Sequence, residues 1–118
     1  MTGAYDGIRF SNVDASMISG DSVTSCYNQG IYLISGSDTN TVMNCISSFS
    51  SSGIVIIGNS NNNTVTGNSA NSNSNGIQLN TSSNTNTISN NTANSNSYGI
   101  YLNASSGNNT VSNNTANS

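Results

Sequence analysis

The stretch Tyr98–Ser118, "YGIYLNASSGNNTVSNNTANS", says again nearly what Asn75–Ser95, "NGIQLNTSSNTNTISNNTANS", has already said. Both hold Gly, Ile and Leu at fixed places in a background of Asn, Ser and Thr. Outward from this pair, "GIRF", "GIYL", "GIVI", "GIQL" and "GIYL" put glycines at Gly7, Gly30, Gly53, Gly76 and Gly99, each 23 residues after the last. A second register keeps the same step at Val42, Val65, Ile88 and Val111. Polar low complexity alone would suggest disorder, because such chains bury too little apolar surface to fold. Two registers held in phase over the whole length instead mark a solenoid of stacked repeats.

Within each repeat, Gly-Ile-x-Leu alternates apolar and variable residues, the period of a half-buried strand. Thr-Val-x-Asn is a second short alternation half a repeat later. Ile, Val, Thr and Tyr favour strands, and the density of Asn, Gly and Ser makes helix unfavourable. The broad leucine framework of a leucine-rich repeat is missing. The spacing therefore predicts an all-β fold, a parallel β-helix (β-solenoid) of about five 23-residue coils, each built from two or three short strands. Stacked at the strand spacing of ~4.8 Å, five coils would span about 24 Å.

Stacking sorts the residues into columns. Ile8, Ile31, Ile54, Ile77 and Ile100 form one inward column, Phe10, Leu33, Ile56, Leu79 and Leu102 a second, and Val42, Val65, Ile88 and Val111 a third. Ala70, Ala93 and Ala116 occupy a narrower corner, which Val23, Ile46, Cys26 and Phe49 are expected to fill in the early coils. Asn recurs just past the third column, at Asn44, Asn68, Asn90 and Asn113, with Asn91 and Asn114 beside the last two. Asn tolerates left-handed backbone, and stacked Asn side chains can hydrogen-bond from coil to coil. Asn44, Asn68, Asn90 and Asn113 are accordingly expected to form a turn ladder.

Composition then limits function. The 118 residues make a single small domain, with 32% apolar residues, 4% charged and a net charge of −3. A lone Arg9 cannot neutralise a phosphate backbone, so nucleic-acid binding is excluded. No long apolar run or basic amphipathic helix is present, so no membrane span is expected. Met1 leads directly into "TGAYDGI", without the charged and apolar regions of a signal peptide, as in a mature form or an excised segment.

The run "SYGIYLNASSGNNTVSNNTANS" resembles the right-handed parallel β-helix repeats of NosD-type and disaggregatase-related surface proteins, abundant in methanogenic archaea. The resemblance covers nearly the whole chain and is strongest from Gly53 onward. It implies a right-handed β-helix, an extracellular or cell-surface location, and an association with carbohydrate, as a binding or sugar-cleaving module. Pectin-degrading relatives carry acidic and basic catalytic residues, and these do not appear here.

The chain has no His, Glu or Lys. Glycoside cleavage needs two suitably spaced carboxylates, and the candidates Asp6, Asp14, Asp21 and Asp38 fall at different phases of the repeat, each in an expected turn. Ser and Thr lack a base to activate them. No enzymatic activity and no cofactor are expected. Met17, Met43, Cys26 and Cys45 are soft metal ligands in principle, but they share no column and no His accompanies them, so no metal site is expected. Cys26 and Cys45 differ in phase and are expected to be two buried thiols rather than a disulfide.

Two outward rows are candidates for contact. Arg9, Tyr32, Val55, Gln78 and Tyr101 face solvent on the first strand, where Tyr32 and Tyr101 are candidate sugar contacts. Thr41, Thr64, Thr87 and Thr110 form a threonine row, partly doubled by Thr66, Ser89 and Ser112, which leaves an ice-binding solenoid as a minor reading. Asn62, Asn80, Asn90, Asn103, Asn108 and Asn113 each begin an Asn-x-Ser/Thr triplet, candidate glycosylation sites in an exported chain.

Neither end of the sequence offers a polar cap, and both fall at nearly the same phase of the repeat. Such ends suit head-to-tail stacking of copies, a contact that does not close on itself. The expectation is a structural repeat protein outside the cell, its partner a second copy of itself. A polysaccharide-binding module of a larger surface protein is the alternative.

Overall fold

Segments that alternate in polarity become strands, the longer ones reading apolar, variable, apolar and the short ones, such as Thr64–Thr66, carrying a single inward aliphatic. The computed structural model describes residues 1–103 and 106–118, and among these every regular element is a strand. The first coil supplies β1 (Ile8–Ser11), β2 (Met17–Ser19) and β3 (Ser22–Thr24), and the second β4 (Gln29–Ile34), β5 (Thr41–Met43) and β6 (Ile46–Ser48). Later coils supply β7 (Ser52–Ile56) and β8 (Thr64–Thr66), β9 (Asn75–Leu79) and β10 (Thr87–Ser89), and β11 (Tyr98–Leu102) and β12 (Thr110–Ser112).

Equivalent strands pair in parallel, giving sheets β1-β4-β7-β9-β11, β2-β5-β8-β10-β12 and β3-β6. Single bridges Ile46↔Ser69, Ser69↔Thr92 and Thr92↔Thr115 extend the third sheet, so the cross-section has three sides. The five strands of the long sheet delimit four complete turns, with partial turns before β1 and after β11, slightly fewer than the five coils expected. Because strand spacing limits the stack to ~5 Å per coil, the molecule is nearly as wide as it is long, 27 × 26 × 23 Å.

The apolar columns lie inside. Ile31, Leu33, Ile54, Ile56, Ile77, Leu79, Val42, Val65 and Ile88 are fully buried. Ile8, Phe10 and Ile100, in the first and last coils, are half-buried, and Leu102 and Val111 are 40% and 44% exposed. The third column also contains Ile18, paired with Val42. The turn after β1 is one residue short, so coil-to-coil contacts there span 24 residues rather than 23. The corner of Cys26 and Ser50 still spans 24, and the next corner position, Ser50 to Asn73, spans 23 again.

The narrow corner differs from expectation. Val23 pairs with Ser47, not Ile46, and the column runs Val23, Ser47, Ala70, Ala93, Ala116. Ile46 and Phe49 point outward, 48% and 66% exposed. A serine is accommodated inside because its hydroxyl donates to the Gly53 carbonyl at 2.7 Å, and a satisfied hydroxyl carries little burial penalty. Space here is tight. A Cβ on Gly53 would sit 2.6 Å from the Gly76 carbonyl oxygen and 3.0 Å from the Ala70 methyl, so the glycine column exists to let two backbones and the small corner residues close up.

The inside–outside register makes a direct prediction. Ile77→Asp places an unpaired charge in a fully buried column and should cost several kcal/mol. Gln78→Asp, one residue along on the outer face, should cost far less. Circular-dichroism melts of the two variants check this, and equal losses would contradict the register.

Candidate functional surfaces

The sequence is rich in hydroxyls and carboxamides, and the fold gathers the carboxamides at three corners of the stack. Ser16, Asn40, Asn63, Asn86 and Asn109 stack at the first corner. Cys45, Asn68, Asn91 and Asn114 stack at the second, and Cys26, Ser50, Asn73 and Asn96 at the third. Each inward Asn bridges in one sense. Asn63 Oδ1 accepts the Asn40 N–H at 2.8 Å, and its Nδ2 donates to the Ser37 carbonyl at 2.9 Å. Asn91 accepts from the Asn68 N–H and donates to the Val65 carbonyl, both at 2.9 Å. Asn73 takes the Ser50 N–H at 2.9 Å and donates to the Ser47 carbonyl at 3.0 Å. Where the chain turns, these backbone groups leave the strand ladder, and the carboxamide of the following coil replaces it.

A second set of acceptors runs the other way on the outside. Asp14 Oδ1 accepts the Asp38 N–H at 2.9 Å, and Asp38 Oδ1 accepts the Asn61 N–H at 2.6 Å. Asn61 and Asn84 continue this row to the N–H groups of Asn84 and Gly107. Asp6 accepts from Asn28 Nδ2 at 3.0 Å and the Gln29 N–H at 3.3 Å, and lies 3.7 Å from the Arg9 guanidinium. Asp21 is exposed. Three of the four carboxylates thus serve the backbone of the neighbouring coil. Among the described residues there is no pocket, and no group of three His, Cys, Asp or Glu side chains is placed to hold a metal ion. Cys26 and Cys45 are buried free thiols in different corners, while Met17 is largely exposed and Met43 lies in an outward row.

Two broad faces remain. On the long sheet, Arg9, Tyr32, Val55, Gln78 and Tyr101 stand in register. This row is less open than expected: Val55 is only 2% exposed and Tyr32 is half-buried. The Arg9 guanidinium lies 5.5 Å from the Tyr32 ring centre, and Tyr101 packs against Tyr98 at 5.3 Å with the rings tilted by 35°. Burial pushes the Tyr32 hydroxyl pKa above its usual 10.0, with the Arg9 charge opposing and the Asp6 charge adding to the rise. On the second sheet, Thr41, Thr64, Thr87 and Thr110 are in register, beside Met43, Thr66, Ser89 and Ser112. The Ser89 hydroxyl is tied to Thr66 at 3.3 Å.

The family model described as "Right handed beta helix region" matches residues 1–116. The chain belongs to the right-handed β-helix family. No curated protein and no solved structure matches it.

In this β-helix the four asparagines expected to form one ladder divide between two roles. Asn68 is an inward rung, whereas Asn44, Asn90 and Asn113 are exposed corner residues with φ of +54° to +57°, sharing a column with Gly67 at +65°. The rungs beside them are Cys45, Asn91 and Asn114. Two whole ladders went unread, those of Asn40, Asn63, Asn86 and Asn109 and of Asn73 and Asn96. Their signal was the same 23-residue recurrence, hidden because Asn recurs at exposed positions too.

Replacing Asn91 by Ala would orphan the Asn68 N–H and the Val65 carbonyl, at about 1–3 kcal/mol for each buried group. Asn90→Gly, beside it, keeps the left-handed corner and should be nearly neutral. Denaturant melts compare the two. For Tyr32, the raised folded-state pKa means that ionisation favours the unfolded chain. Its contribution to stability should hold below pH 10 and fall as pH rises through the raised value, a loss that Tyr32→Phe should remove in alkaline melts.

Proposed function

We propose that this β-helix is a non-catalytic structural module that stacks end to end outside the cell, a second copy seating its first coil beneath the last. The observation that carries this reading is the apolar surface of the last coil described. Leu102 and Val111 are 40% and 44% exposed, while Leu79 and Ile88, one coil earlier in the same columns, are 0% exposed. A second copy continuing the step would bring Ile8 and Phe10 beneath Ile100 and Leu102, and Ile18 beneath Val111. Arg9 would then meet Tyr101 as it already meets Tyr32. The Asn109 and Asn114 N–H groups, whose equivalents in preceding coils donate to a rung, would find the Ser16 hydroxyl and the Asp21 carboxylate. A net charge of −3 opposes such assembly only weakly.

A non-catalytic role is supported by the chemistry available: no His, Glu or Lys, and three of the four carboxylates engaged by backbone N–H groups. Kinship with NosD-type and disaggregatase-related surface proteins, and with it the location outside the cell, rests on the repeat resemblance, which covers nearly the whole chain and is strongest from Gly53 onward. A second reading, polysaccharide binding, is favoured by the Tyr98–Tyr101 pair on the outer face of the long sheet.

Light scattering and electron microscopy over a concentration series test the stacking. The expected polymer adds one copy per about 24 Å, five strand levels of the long sheet at the strand spacing. Ile8→Lys, which puts a charge at the joining face, should stop growth while leaving the later coils folded. A chain that stays folded and monomeric at high concentration would overturn stacking. Retardation on polysaccharide gels, lost in Tyr101→Ala, would then support the second reading.

A further inference from the structure

The 23-residue pattern separates the six Asn-x-Ser/Thr triplets by geometry. In Asn-Asn-Thr at 62–64, 90–92, 108–110 and 113–115 the three residues have fixed stations. The first Asn is an exposed corner residue with φ between +52° and +57°. The second is the inward rung, and the Thr stands on the outer face of the following strand or bridge. Strand alternation forces this order. Two residues after the rungs Asn63, Asn91, Asn109 and Asn114 come the column residues Val65, Ala93, Val111 and Ala116, so a rung at these corners does not begin a triplet. The corner residue before each of these four rungs has the outward hydroxyl two residues on.

The other two triplets differ. Asn80 is half-buried and its Oδ1 accepts the Thr81 N–H at 2.8 Å. The triplet of Asn103 runs through residues 104 and 105, outside the described residues. At Asn62, Asn90, Asn108 and Asn113 the carboxamides lie in solvent, and a group attached there displaces neither a rung nor a core residue.

We propose that Asn62, Asn90, Asn108 and Asn113 are acceptor sites for N-linked glycans. In the step, the Asn Nδ2 attacks the anomeric carbon of a lipid-pyrophosphate-linked oligosaccharide supplied by a membrane transferase. A C–N bond forms, the anomeric C–O bond breaks, the lipid pyrophosphate leaves, and Nδ2 gives up one proton. The glycans project from the corners, sideways to the stacking direction. This assignment is independent of whether copies stack.

The test is secretion of the full chain from a eukaryotic host, followed by enzymatic glycan release in heavy-oxygen water and mass mapping of the labelled Asp. Label is expected at these four positions, on protein whose melt is that of a folded β-helix. Thr64→Ala, an outward change, should abolish label at Asn62 alone and leave the melt unchanged. Absence of label at all four, while a reporter triplet secreted by the same cells is occupied, would overturn the proposal. So would label confined to Asn80 or Asn103, label on rung asparagines, or glycosylated protein that is unfolded.

Discussion

The carboxamide bridge between consecutive coils is the interaction on which this molecule depends. A coil of 23 residues must turn three times, and at each turn the backbone leaves its strand ladder with polar groups facing the interior. Water cannot reach them, and an unpaired buried amide is costly enough that a few would cancel the margin of a small domain. Asn is suited to the task because one side chain supplies both an acceptor and a donor. Asn63 and Asn91 use both, one for each backbone group of the coil before. Serine meets half of the need, as Ser50 does in accepting the Cys26 N–H. Cys26 begins its column, and Cys45, one coil further on, serves the coil before only as a donor, its thiol 3.7 Å from the Ile18 carbonyl.

Much of this was legible in the sequence, and the parts that were not share a cause. The inward aliphatics could be read because they are rare: an Ile or Val every 23 residues stands out in a polar chain. Ile18 went unassigned because the turn after β1 is one residue short, which moves it out of phase with Val42. Ile46 was assigned inward on hydrophobicity alone, yet the side facing the core belongs to Ser47, whose hydroxyl finds the Gly53 carbonyl. Hydrophobicity decides burial only where no polar residue can be satisfied in its place.

The asparagines were harder, for a physical reason. Asn is selected for two separate reasons, at some positions for its backbone and at others for its side chain. Corner residues such as Asn90 are there because Asn accepts left-handed φ, and rungs such as Asn91 because they bridge. Adjacent residues of one type with opposite roles cannot be told apart by periodicity, since both recur at the same step. The column mates resolve them: Gly67 stands with Asn90 and Asn113, and Cys45 with Asn68 and Asn91. A position that alternates Asn with Gly is a backbone position, and one that alternates Asn with Ser or Cys is an inward one.

The one-coil reach of these contacts has a mechanical meaning. Strand pairs and carboxamide bridges join each coil only to its immediate neighbours, so tension on the final residue loads the last coil's fastenings before any between earlier coils. The stack should therefore yield as a staircase, each tread releasing about 80 Å of extended chain and exposing a fresh face like the one just lost. A molecule built this way can give up length in equal instalments while the rest of it stays intact.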